Sequence, residues 1–254
     1  MKKIISALAL CASLFAAGCS KSNTLKMGTN AAFPPFEFVE GDKVVGFDAT
    51  MGELIARDFG KELEIQDMAF DGLIAALQAG SIDFIAAGMT ATDERRQSVD
   101  FSEPYFSSKQ VIIVQAGNDS VKTVSDLDGK VIGCQSGTTG EIYINDELTK
   151  AKAKGFKSGI DASLDLINGA IDAIILDELP SREIVKNNAD TLKIVDDDFC
   201  TDVYAIAVKK GNTELLDSIN KTISTMKANG NYDKLLDAFM PADGNIKILS
   251  ASDL

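Results

Sequence analysis

Two hydrophobic rhythms alternate along the chain. Short apolar runs bounded by polar or glycine residues read as strands: Thr24 to Gly28, Val44 to Phe47, Leu63 to Ile65, Ile82 to Ala87, Gln110 to Gln115, Val131 to Cys134, Phe156 to Ser158, Ile171 to Leu176, Thr191 to Val195 and Val203 to Val208. Between them helical spacing recurs. Met51, Leu54, Ile55 and Phe59 fall on one face of a helix predicted from about Ala49 to Lys61, with Asp48 as its cap. Asp71 is placed to cap Leu73 to Ala79, and Gly80 ends that helix. Further helices are predicted at Val124 to Leu127, from Gly140 to about Lys152, and at Ser163 to Asn168, Pro180 to Lys186, Glu214 to Ala228 and Asn231 to Phe239. This alternation predicts an α/β protein with parallel strands and crossover helices. The rhythm breaks at Asp100 to Phe106, where a second unit begins.

The strands end at polar corners, and these carry the candidate chemistry. Ala87 to Arg96 follows a buried strand and brings backbone N–H groups, hydroxyls and a guanidinium together, as holding a carboxylate requires. A second reading is open here: Asp93 and Glu94 complement a helix dipole while Arg95 and Arg96 are solvated. Gln135-Ser136-Gly137-Thr138-Thr139-Gly140 is a second such corner, and Asp177-Glu178 a third. Pro34 and Pro35 forbid regular helix or a central strand in the Thr29 to Phe38 loop. Phe33 there is either a binding platform or a lid on the core; Phe36 and Phe38 read as core. Ligands of open α/β sheets bind beyond the carboxyl ends of strands, so two facing sheets would enclose a small molecule.

Composition adds the compartment. With 45% apolar and 25% charged residues the chain is ordinary globular protein. Met1-Lys2-Lys3, an apolar stretch from Ile4 to Ala17 and Gly18-Cys19-Ser20 together form an export signal, too short to span a bilayer. Its end resembles the lipobox of bacterial lipoproteins, with Ala16 where Leu is usual and Cys19 as the lipidated residue. Residues 1–18 are therefore expected as signal peptide and residues 19–24 as a lipid-anchored tether. Loss of residues 1–18 removes Lys2 and Lys3 from 25 basic residues and none of 38 acidic ones, taking the formal charge from −13 to about −15. That excess argues against a nucleic-acid partner. Cys134 and Cys200 then remain, either as one disulfide or as two buried thiols, and no metal-ligand spacing is present.

From Thr24 to about Met240 the chain resembles the bacterial extracellular solute-binding proteins of the polar amino-acid family, which serve ABC importers. The resemblance rests on ordered blocks: the Phe33 to Phe38 loop, Val45-Gly46-Phe47-Asp48, Ala87 to Arg95, Val99-Asp100-Phe101-Ser102, Asp126 to Lys130, Gln135 to Gly140 and Ile174 to Asp177. It implies a two-lobed periplasmic-binding-protein fold of type II, two α/β lobes joined by a two-strand hinge. Lobe 1 would comprise residues 25–106 plus 205–245, and lobe 2 residues 107–204. An amino acid would bind in the cleft and the lobes close over it.

Carried over by position, Arg95 would hold the ligand carboxylate with Thr90 and Thr139 beside it, and Asp177 with the Gly88 carbonyl would take the ammonium. Phe33 and Phe70 would flank the side chain; Met89 and Thr138 complete the corners. Asn30 stands where many relatives carry an acid, and Gln135 is likewise neutral. Two amides favour a polar uncharged or basic L-amino acid, with Asp71, Glu178 or the rim able to serve a cationic one. The resemblance implies no cofactor, a monomer, an ABC permease as partner, and a periplasmic or cell-surface lipoprotein. With no histidine in the chain and the assigned acids committed to ligand charges, no enzyme is expected. A sensing or adhesive surface lipoprotein and a dehydratase-like enzyme on the same scaffold are the alternatives.

Overall fold

Glycine and proline punctuate residues 28–100, and apolar runs between them become strands or helix faces. The computed structural model describes residues 23–195, 197 and 199–254. The predicted signal, Cys19 and most of the tether therefore lie outside the described residues. The strands and helices follow in chain order: β1 Thr24–Thr29, β2 Ala32–Phe33, β3 Glu37–Glu40, β4 Lys43–Val45, α1 Phe47–Asp58, β5 Glu62–Asp67, α2 Leu73–Ala79, β6 Phe84–Ile85, α3 Asp93–Ser98, β7 Val99–Phe101 and β8 Phe106–Gln115. Next come β9 Val131–Gln135, α4 Thr139–Glu147, β10 Lys152–Phe156, α5 Gly159–Ile167, β11 Ala173–Asp177, α6 Glu178–Lys186 and β12 Leu192–Val195. The last are β13 Thr201–Tyr204, β14 Ala207–Lys209, α7 Thr213–Asn229 and α8 Asn231–Phe239.

Two sheets divide these strands into two lobes. The first has the order β5-β1-β6-β14-β7, the second β10-β9-β11-β8-β12 with β13 also paired to β8, and β2-β3-β4 form a small separate sheet. The βα units give parallel pairs, β1 with β5 and β6, and β9 with β10 and β11. The expectation of parallel strands holds only there. β14 runs antiparallel to β6 and β7, and β8 antiparallel to β11, because these strands arrive from the other lobe rather than through a crossover helix. The chain passes between the sheets twice, at β7 to β8 and at β13 to β14.

The apolar run Val203 to Val208, read as one strand, is in fact split across that second passage. Ala205 N–H donates to Met89 O at 3.0 Å and Ile206 N–H to Ser102 Oγ at 2.9 Å, so main-chain bonding leaves one sheet before it enters the next. Continuous hydrophobicity reports burial on both sides of a hinge and carries no sign of the break. Ile82 to Ala87 is likewise strand only at Phe84–Ile85, although all of Phe84 to Ala87 is buried. The helix after Gly140 stops at Glu147, and the strand expected at Phe156 to Ser158 lies earlier as the mostly polar β10.

Two predicted caps are also corrected. Gly46, not Asp48, occupies the N-cap of α1, and Gly72, not Asp71, that of α2; neither helix has a side-chain cap bond. Asp48 is instead fully buried. Of the two aromatics read as core in the proline loop, Phe36 is buried but Phe38 is half-exposed, and Glu37 between them is buried.

The loop is clamped to α1 by Phe47 N–H to Pro35 O at 3.1 Å and Asp48 N–H to Phe36 O at 2.8 Å. Gly46 makes this approach feasible: its φ is 131°, and a Cβ there would lie 2.2 Å from Phe36 O and 3.0 Å from Glu37 N. Gly46→Ala therefore combines backbone strain with a main-chain collision. The expected cost is about 3 kcal/mol, a fall in melting temperature of roughly 6–12 °C for a chain of this size. A shift below about 2 °C in a thermal scan would show that the loop relaxes freely.

After α8 the chain returns across lobe 1. Thr50 Oγ1 donates to Leu249 O at 2.7 Å, Ala251 N–H to Glu53 Oε2 at 2.7 Å, and Arg57 to Ala251 O at 2.8 Å. Cys134 and Cys200 are free thiols, the first buried and the second half-buried. Burial raises both, to about 12 and about 11.

Candidate functional site

The corner after β6 turns at Gly88, whose φ is 53°. A Cβ at this position would come within 2.8 Å of the Phe33 ring. The Gly88 N–H donates to Asp48 Oδ2 at 2.9 Å, which ties the corner to the first turn of α1. Thr92, not Thr90, caps the following helix: its Oγ1 accepts Arg95 N–H at 3.2 Å. The Thr90 hydroxyl donates to Asp202 Oδ1 at 2.8 Å. Met89 has its side chain in the apolar cluster of Phe70, Leu73 and Phe101, and its carbonyl accepts from Ala205. It presents packing rather than polar groups.

Arg95 is not solvated. It is 8% exposed, and its Nη1 donates to Thr90 O at 2.7 Å while Nη2 donates to Gly137 O at 2.8 Å, so one guanidinium joins both lobes. Its carbon lies 5.4 Å from the centroid of the Phe70 ring, a cation–π contact that holds the planar group in place. Burial lowers its pKa, partly offset by Asp202, Asp177 and Glu94.

Across the cleft, the second corner is built around Gly137, where φ is 79° and a Cβ would lie 2.9 Å from Asp71 Cβ. The lobes touch at this point. Thr138 Oγ1 donates to Gln135 O at 2.7 Å, and Thr139 opens α4 with its hydroxyl 3.5 Å from Gln110 Nε2. Gln135 Nε2 donates to Asn30 Oδ1 at 2.8 Å, and Asn30 Nδ2 donates to Met68 O at 2.8 Å. The two amides thus pair with each other across the lobes.

Asp177 occupies the N-cap of α6 but makes no cap bond. It is 5% exposed and accepts the Tyr204 hydroxyl hydrogen. Burial first, then the charge of Asp202, raises it to about 7, against the pull of hydrogen bonds from Tyr204 and Gln110. Asp202 itself is 1% exposed and accepts Gln110 Nε2 at 2.5 Å. Glu178, a candidate for a cationic ligand, is engaged by Arg182 at 2.6 Å.

The structure therefore brings Phe33, Gly88, Thr90, Arg95 and Phe70 of one lobe against Gln135, Thr138, Thr139 and Asp177 of the other, with Asn30 at the seam. A cavity of about 230 Å³ opens at one edge, lined by Phe70, Asp71, Ser136 and Lys157. Another of about 370 Å³ opens beside Arg95, Gly137 and Glu94.

Residues 25–242 match the model of the bacterial extracellular solute-binding proteins, family 3. The chain belongs to this family. It is 35% identical over 246 residues to ABC transporter arginine-binding protein 1 of Escherichia coli (strain K12), covering 95% of this chain and 100% of that one. A probable histidine-binding protein of Campylobacter jejuni is 37% identical over 217 residues, with 85% and 84% covered. Among solved structures, an ancestral arginine-binding protein bound to arginine superposes with a TM-score of 0.82 at 44% identity, covering 85% of this chain and 98% of that one.

Three residues at this family 3 cleft escaped the sequence reading: Gln110, Asp202 and Tyr204. Gln110 looked like the polar end of an apolar run, and Asp202 like one more acid in a loop rich in acids. Tyr204 lay inside the run misread as one strand. The available signal was a polar residue abutting a buried strand on each side of the hinge.

Proposed function

We propose that the chain is an exported binding protein that takes an L-amino acid with a donor-bearing side chain, basic or amide, and delivers it to an ABC importer. One observation carries this. Arg95 and Asp177 are buried on opposite lobes, and among the described residues neither forms an ion pair. Desolvated charges need partners, and a zwitterion supplies both at once: its carboxylate to Arg95 and its ammonium to Asp177. Gly88 and Thr90 from one corner and Thr138 and Thr139 from the other supply the neutral groups, and Phe33 and Phe70 the apolar walls.

The side-chain preference follows from the orientation of the amides. Met68 O and Lys157 O are carbonyls and only accept, so Asn30 Nδ2 must face the first and Gln135 Nε2 the second, at 2.8 Å and 3.3 Å. Asn30 Oδ1 is then taken by Gln135. Gln135 Oε1 is then the acceptor that remains on the amide pair, and Asp71 adds a carboxylate at the cavity beside Ser136. An acidic side chain would meet acceptors on both counts.

The test is a thermal-shift screen of the twenty amino acids against the folded protein. Arginine, lysine, histidine, glutamine or asparagine is expected to raise the melting temperature, because a ligand that binds only the folded state stabilises it by mass action. Aspartate and glutamate are expected to leave it unchanged. No shift with any amino acid would reject the reading, and conversion of a bound amino acid into product would replace it with an enzyme.

A further inference from the structure

Behind the Gly88 corner lie two acids that the ligand site does not use. Glu37 on β3 is 1% exposed and Asp48 on α1 is fully buried, and the Asp48 N–H donates at 2.8 Å to the carbonyl of Phe36, the residue before Glu37. Two ionised carboxylates have no hydrogen to share, so a hydrogen bond between them would require a proton. Asp48 Oδ2 is occupied: it accepts Gly88 N–H at 2.9 Å and the Tyr105 hydroxyl at 2.6 Å. Asp48 Oδ1 and Glu37 Oε2 are buried and meet no donor from the protein among the described residues. One proton held between the two acids would satisfy both oxygens.

We propose that Glu37 and Asp48 act as a single acid that holds one proton at neutral pH and serves as a positioning element, fixing the Gly88 amide and so aiming the Gly88 carbonyl at the ligand. The idea rests on the amino-acid reading for its binding readout, but not for its stability readout. The surroundings favour the proton. Burial and then the charge of Asp48 push Glu37 well above the usual carboxylate range, and Asp177 and Asp67 add to the rise. Burial lifts Asp48 to about 7, against hydrogen bonds from Tyr105, Gly88 and Glu37. Among the described residues the charged groups that shift the pair are acids, Asp177 from β11 and Asp67 from β5, with the phenol of Tyr105 alongside. Phe36 and Phe47, both fully buried, complete the loop and helix packed around it. Glu37 is therefore the neutral partner, and Asp48 the acceptor of main-chain and phenol hydrogens.

The sign of the pH effect follows. An acid whose folded pKa is raised contributes stability that is present below its unfolded value and is lost as the pH rises through the folded value. Above neutrality the pair loses its proton, and two charges then repel in an apolar pocket against Gly88.

The experiment measures ligand-free melting, and L-arginine and L-glutamine affinity by calorimetry, from about pH 6 to about pH 10 on the full chain. In the wild type both are expected to fall at alkaline pH. Glu37→Gln supplies a permanent neutral donor; it is expected to bind as the wild type does at neutral pH and to flatten the alkaline fall. Loss of the ligand's own ammonium proton is common to both proteins, so the difference between them is the readout. Asp48→Ala, which strands the Gly88 N–H and the Tyr105 hydroxyl, is expected to weaken binding about tenfold or more, and Asp48→Asn to restore most of it. The same alkaline slope in Glu37→Gln as in the wild type, or wild-type affinity in Asp48→Ala, would overturn the proposal. If Asp48→Ala does not fold, the Glu37→Gln profile decides. A wild type that binds no amino acid rejects the amino-acid reading alone, and the ligand-free melting profiles still test the pair.

Discussion

Arg95→Ala is expected to remove about 2–5 kcal/mol of amino-acid affinity, roughly 30-fold to several thousand-fold in Kd. The loss has two parts. The ligand carboxylate would remain enclosed with no counter-charge, and the bridge from Thr90 O to Gly137 O would vanish with the guanidinium that makes it. Arg95→Lys separates them. An ammonium keeps the charge but has no planar fork, so it cannot serve the two carbonyls, the Phe70 face and a carboxylate together. The lysine variant should fall between wild type and alanine. Calorimetry with the best ligand of the thermal screen measures the series. Wild-type affinity in Arg95→Ala would move the carboxylate site elsewhere, and the corner would then be a structural bridge between lobes.

How much of this arrangement was readable beforehand depends on which physical rule each residue obeys. Strands buried on both faces, such as Ile174 to Leu176 in β11, announce themselves by continuous hydrophobicity, and Gly80 ends α2 in the left-handed conformation that glycine favours. Helix capping was misread for a specific reason. Asp48 and Asp71 have the right side chain one or two residues from a helix start, yet the Asp48 carboxylate serves a buried network and Asp71 lies against Gly137 of the other lobe. At α1 the N-cap is Gly46, whose positive φ lets the proline loop pack against the helix start without a side-chain cap.

Glu37 was hidden between two aromatics. Phe36 and Phe38 both read as core, which left the acid between them to solvent, but Glu37 is buried beside Phe36 while Phe38 is half-exposed. Similarly, Tyr204 and Gln110 bond partners that are 27 and 92 residues away in sequence. Local pattern carries no information about such pairs. The corners themselves, Gly88 to Arg95 and Gln135 to Thr139, were legible because small polar residues interrupting buried strands have few other uses.

Asp177→Asn is expected to cost affinity on the same scale, about 2–5 kcal/mol, and also to change the pH profile. In the ligand-free protein, burial and Asp202 hold Asp177 at about 7. The ligand ammonium needs the ionised form. Below about pH 7, binding must therefore expel a proton, and each further pH unit should weaken the wild type about tenfold, until the acid range in which other carboxyls titrate. Above that value this dependence should flatten. Stability runs the other way: with its folded pKa raised from 3.8, Asp177 contributes stability that is present in acid and is lost as the pH rises through about 7. The ligand-free melting temperature should thus decline toward neutrality while the increment added by ligand grows. Asparagine keeps an oxygen for the Tyr204 hydroxyl but has no proton to exchange, so the variant should bind weakly and with little slope between about pH 5 and about pH 7. A slope in Asp177→Asn equal to that of the wild type would assign the titration to another acid and would leave the ammonium without its proposed partner.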